Sequence, residues 1–137
     1  MKRIPETKNT LVLRTDFSDT AAWESICVAI QAPVGEFRAY VDFVSDPEYA
    51  NLAVEQLSLL IPQGSNHTFL FVVDHTALAH PDHPILVVDL YTERGRTFRV
   101  VPSEMWAVEN NLSLANMDFA EFADAVDRDG IFRGFPE

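Results

Sequence analysis

Two apolar runs constrain this chain more than anything else in it: Phe69 to Asp74, FLFVVD, and Ile85 to Tyr91, ILVVDLY. Each is apolar at nearly every position rather than at alternate ones, so a strand made from either buries side chains on both faces of a sheet. A sheet covered on both faces needs layers above and below it, and the rest of the sequence must supply them. The segment between the runs, His75 to Pro84, carries Pro81 and Pro84 and reads as a loop. It falls short of the roughly twelve residues that a parallel crossover needs, which favours antiparallel pairing of the two strands.

The flanking segments provide the layers. Thr10 to Asp16 is a β-rich run, and Ser18 or Asp16 is expected to cap the helix after it, where Trp23, Ile26, Cys27 and Ile30 share one face. Phe37 to Val44 alternates, with Phe37, Ala39, Val41 and Phe43 on one side, as a strand with one wet face does. Asp46-Pro47-Glu48 opens a helical turn, and a helix from about Ala53 to Ile61 follows until Pro62 and Gly64 stop it. Thr92 to Arg96 is short and holds a glycine, suited to a hairpin into Thr97 to Val101. Beyond Pro102, Ser103 is placed to cap a helix from Glu104 to Asn111, and a last helix starts near Asp118 with Glu121 as its capping-box partner. Phe132 and Phe135 are read as tail residues tucked against the body. The predicted fold is mixed α/β (α+β): one five-stranded mixed sheet in the order β-α-β-α-β-β-β-α-α, with helices packed on it. At 137 residues this is one domain, residues 10–137, behind a flexible lead-in at residues 1–9.

Charge narrows the partners. Net charge is −11, from 21 acidic and 10 basic groups, and the two lysines, Lys2 and Lys8, both lie in the lead-in. Such a field repels nucleic-acid phosphates and anionic lipid, and it speeds encounter with basic proteins or cationic ligands. The expected partner is therefore a basic protein or a small molecule, with neither nucleic acid nor membrane involved. Cys27 is the single cysteine, so no internal disulfide forms. No apolar run approaches the roughly 20 residues of a membrane span, and the start MKRIPETKNT lacks the apolar core of a signal peptide, so a cytoplasmic location is expected.

Elimination narrows the chemistry further. Phosphoryl chemistry of the receiver or phosphatase kind needs a lysine that the body of the chain lacks. Cys27 faces the core, no Gly-x-Ser-x-Gly elbow occurs, and no glycine-rich loop cradles a phosphate. His75, His80 and His83, with Asp74 and Asp82 among them, match no zinc spacing. No catalytic residue, metal or cofactor is assigned. Asp16 and Asp74 close the first and third strands, and parallel pairing of those strands would bring both carboxylates to one rim. Asp89 interrupts an apolar strand and calls for a partner, for which Arg94, Arg96 and Arg99 are near in sequence.

What remains is the stretch Arg99 to Phe119. It holds Glu104, Trp106, Asn110, Asn111, Asn116 and Asp118, which with Asp16 form the candidate binding set. Two accounts compete. These side chains either cap two consecutive helices, or they present a polar pocket or contact surface with Trp106 as its anchor. The first functional reading is a non-catalytic binding protein that recognises a protein partner, as immunity or inhibitor proteins do. The alternative is a small-molecule enzyme or a sequestering resistance protein with a polar pocket at the ends of the two C-terminal helices.

LVLRTDFSDTAAWE near the start, FLFVVD in the middle and FRVVPSEMWAVENNLSLANMDFAEFADAV near the end together resemble a family of short bacterial domains, common in actinobacteria, without an assigned function. The resemblance runs from about Asn9 to Phe135, and its marks are Arg14-Thr15-Asp16-Phe17 and Asn116-Met117-Asp118-Phe119. It implies no activity, cofactor or site.

Overall fold

The two apolar runs form β3 (Phe69–Val73) and β4 (Ile85–Asp89), the central pair of a six-stranded sheet in the computed structural model. They pair antiparallel, with Phe71 opposite Val87, and every residue of β3 is buried. The structure describes residues 2–136, so Met1 and Glu137, the outer ends of the expected lead-in and domain, lie outside it. Beside β3 run β1 (Thr10–Arg14) and then β2 (Val41–Val44), both parallel to their neighbours. Beside β4 runs β5 (Thr97–Val100), antiparallel as the short hairpin link requires. A sixth strand corrects the expected count of five. It is β6 (Ile131–Phe132), parallel to β5 with Arg99 opposite Ile131. Two residues carry no readable period, so the segment looked like a tucked tail.

Alternation along the strands divides the interior into two layers. On one face Val12, Phe71, Val73, Val87 and Phe98 meet α1 (Thr20–Gln31), α4 (Met105–Ser113) and α5 (Phe119–Ala123) through Trp23, Ile26, Ile30, Val108 and Phe122. On the other face Leu11, Leu13, Leu70, Val72 and Val88 meet Leu57 of α2 (Val54–Leu59), Tyr49, Ile61 and Ile4. The lead-in thus takes part in the second layer. Ile4 is buried, the Tyr49 hydroxyl donates to Arg3 O, and Thr7 N–H donates to Nε2 of buried His67. The apolar runs need cover on both sides, and these residues complete it.

Local chemistry displaced three expected boundaries. Asp19, rather than Ser18 or Asp16, caps α1 by accepting from Ala22 N–H. The His75 to Pro84 loop begins with a helical turn, α3 (His75–Ala79), capped by Asp74, whose carboxylate accepts from Ala77 N–H. The strand predicted from Phe37 starts only at Val41. Residues 37–40 leave the sheet because side chains of α4 take up their backbone: Tyr40 N–H donates to Glu109, and Arg38 O accepts from Asn110.

Candidate functional site

The candidate residues from the sequence separate into engaged and open groups. Glu109 is buried on α4, and its carboxylate accepts from Tyr40 N–H at 2.7 Å, from Asn110 Nδ2 at 3.0 Å and from the Ser113 hydroxyl. Asn110 also donates to Arg38 O at 3.1 Å, so this pair pins the 38–40 segment to the helix. Asn111 turns its amide back to Ala107 O at 2.8 Å, while its carbonyl accepts from Asn116 and Met117 N–H. The left-handed residue after α4 is Ala115, at φ +56°, and not an asparagine. Asp118 opens α5, its N–H bonded to the Glu121 carboxylate, and Asn116 is exposed beside it. Glu104 lies in a 3-10 turn, Pro102–Glu104, ahead of α4, its carboxylate against Gly134. Gly134 has φ +104°, and a Cβ there would come within 2.9 Å of Glu104 Oε1.

Trp106 on α4 is partly exposed. Its indole stacks on Phe37 with ring centroids 4.5 Å apart and planes 17° from parallel, and Phe37 is 52% exposed. Val34 and Phe37 bridge one another around Gly35, whose φ of +61° lets the chain reverse there. Val34, 41% exposed, also borders an open groove of about 600 Å³ that runs past Ala29, Ala32, Val101 and Pro102, with Asp82 and Arg133 on its edge. The Trp106 Nε1–H is buried and makes no hydrogen bond among the described residues.

A second concavity, about 390 Å³, lies where α4 ends and α5 begins. Of the candidate binding set it takes only Asp118. Phe69, Leu112, Met117 and Phe119 also line it, together with Tyr91 and Asp89. Asp89 lacks the expected arginine. Its two oxygens accept from the N–H groups of Tyr91, Thr92 and Glu93 at 2.9–3.2 Å, folding the hairpin link around a buried carboxylate. The arginines are engaged elsewhere, Arg94 on Leu90, Ser58 and Ile61 carbonyls, Arg96 on Glu93 and Asp124, Arg99 on Asp74.

The third location is the rim above β1 and β3. Because α1 crosses on one face and α2 on the other, the carboxyl ends of these parallel strands form the topological switch point at which open α/β sheets bind ligands. Asp16 and Asp74 both arrive there, with Thr15, Asn51 and His75 around a hollow of about 240 Å³. Asp16 accepts from the Ser18 hydroxyl and N–H and lies 3.1 Å from His75 Nδ1. Those bonds, the Ser18 hydroxyl foremost, hold its carboxyl below the ordinary range, so Asp16 serves as a fixed carboxylate that orients an exposed imidazole. Asp74 is bound bidentately by Arg99, at 2.7 and 3.0 Å. Half-buried Cys27 has its thiol pushed up to about 11 by burial, which leaves it a poor nucleophile at neutral pH. Among the described residues no three histidine, cysteine or acidic side chains gather as metal ligands.

Sequence reasoning missed Phe37, which its alternation assigned to a buried strand face, and the apolar lining of the cleft, which reads as ordinary core. His75 could have been found from its place directly after Asp74 at a strand end.

Fold and site together define a mixed α+β domain: one sheet, a doubly wound parallel half, an aromatic surface on α4 and a cleft at its far end. The chain belongs to the family described as a domain of unknown function, DUF6924, which it matches over residues 9–135. Among curated proteins none matches it. No helix among the described residues is long and apolar enough to cross a membrane.

Proposed function

We propose that this protein is a small acidic, non-catalytic binding domain of the bacterial cytoplasm that recognises a basic protein partner, as an immunity or inhibitor protein does. The observation that carries this reading is the Phe37–Trp106 stack, with Phe37 half open to solvent on the same short hairpin as Val34, which borders the groove beside α1. Large aromatic side chains in that condition are the anchors that dominate interface energetics. Charge supports the same reading. Arg14, Arg94, Arg96, Arg99 and Arg133 are all occupied inside the protein, so the excess of carboxylates is left to act on the surroundings. Immobilised protein is expected to retain basic proteins from a lysate of the native host at low salt. Phe37→Ser, and separately Glu36→Lys at the exposed hairpin tip, should each reduce that retention about tenfold or more. Retention equal to wild type by both variants would refute the assignment of the surface.

A second reading has its own observation. The cleft at the junction of α4 and α5 has the size and mixed lining of a small-molecule site, so the domain would sequester or process a compound there.

A further inference from the structure

We propose that the cleft between the end of α4 and the start of α5 is a site for an organic ammonium ion, an inference that rests on the small-molecule reading of that cleft. Its volume of about 390 Å³ suits a compound of modest size. Two of its lining residues are aromatic, 4% and 6% exposed, and held from behind: Phe69 packs edge-on against Phe71, and Phe119 against Phe98. A third aromatic, Tyr91, is 78% exposed at the mouth and free to lie over a bound molecule. Aromatic faces attract cations through the ring quadrupole, and they do so most strongly where water is partly excluded.

The charges around the cleft agree. Asp89 and Asp118 both line it, and no lysine, arginine or histidine does. Neither carboxylate forms an ion pair among the described residues. Asp89 is 3% exposed, its oxygens are held in place by the N–H groups of Tyr91, Thr92 and Glu93, and no cation pairs with it among the described residues. Asp118 is exposed at the rim, where a ligand's N–H groups can reach it. An anionic ligand would meet two like charges at short range, and a neutral one would leave them as they are. An ammonium group on an apolar body satisfies both features of the cleft at once: the body lies against Leu112 and Met117, the charge among the rings and carboxylates.

The test is a titration of the full chain with three probes of similar shape, 2-phenylethylammonium, 2-phenylethanol and phenylacetate, followed by amide NMR shifts. The expected result is shifts confined to residues 68–69, 89–92 and 112–119, with the ammonium bound about tenfold or more tightly than phenylacetate and more tightly than the alcohol. Asp118→Asn, which keeps a good helix cap, should weaken the ammonium several-fold and leave the alcohol unchanged. Glu24→Gln on α1 makes the same change in net charge and should change neither. An alcohol bound as well as the ammonium, or an ammonium indifferent to Asp118→Asn, would overturn the cation site and leave the cleft standing as a small-molecule site. Absence of shifts at those residues with all three probes would overturn both.

Discussion

Trp106 and Glu109 stand one helical turn apart on α4, and the fold treats them in opposite ways. Glu109 is 4% exposed and accepts from a backbone N–H, an amide and a hydroxyl. Trp106 lies against a half-exposed ring, with its N–H making no hydrogen bond among the described residues. Both lie in one polar-rich stretch of the sequence, yet the carboxylate is a fastener and the indole backs a half-exposed ring. The number of polar side chains in a stretch therefore says little about binding. What matters is whether their hydrogen-bonding capacity is already used.

Substitution should expose this contrast first at Glu109. Glu109→Ala leaves the Tyr40 N–H and the Asn110 amide without their acceptor and releases the 38–40 segment, at a cost of about 2–3 kcal/mol in unfolding free energy. Asp118→Asn in the same stretch should cost less than about 0.5 kcal/mol, since asparagine caps as well as aspartate. Chemical denaturation of the two variants checks both, and equal losses would erase the distinction between engaged and open residues.

His67 sharpens the comparison on the opposite face of the sheet, and with a smaller effect. Its Nε2 accepts from Thr7 N–H, so this one bond to the lead-in requires the neutral imidazole. Burial pushes the His67 pKa below its ordinary 6.5. The unfolded chain then binds this proton more readily than the folded one, so stability rises with pH through the window just below 6.5 and falls as pH drops through it. His67→Gln keeps an acceptor without titrating and should flatten that part of the profile. The depressed Asp16 carboxyl adds a separate loss only at more acid pH, as it protonates. An unchanged slope between pH 5 and 7 in the variant would exclude His67 as its source.

Legibility in the sequence followed the length and regularity of the signal. FLFVVD and ILVVDLY marked the central antiparallel pair, because unbroken apolar runs admit few other places. The face of α1 with Trp23, Ile26 and Ile30 was equally readable from its period. The conditional reading of Asp16 and Asp74 also holds geometrically, since β1 and β3 are parallel neighbours. Residues whose place depends on distant partners were not legible. Phe37 carries the alternation of a strand, and only the capture of residues 38–40 by Glu109 and Asn110 turns it outward. Asp89 seemed to need an arginine, but the tight turn after β4 supplies three N–H donors that no pairwise reading of charges reveals. The cleft is formed by side chains from three separated segments, its apolar ones of ordinary core type, so nothing local announces it.

The most direct test of the central claim is a hydrogen-exchange footprint of the protein bound to the basic partner it retains. The binding account predicts slowed exchange at residues 34–40 and 101–106 and unchanged exchange at 112–119. Protection confined to 112–119, or to the β1 and β3 rim around Asp16 and His75, would contradict it.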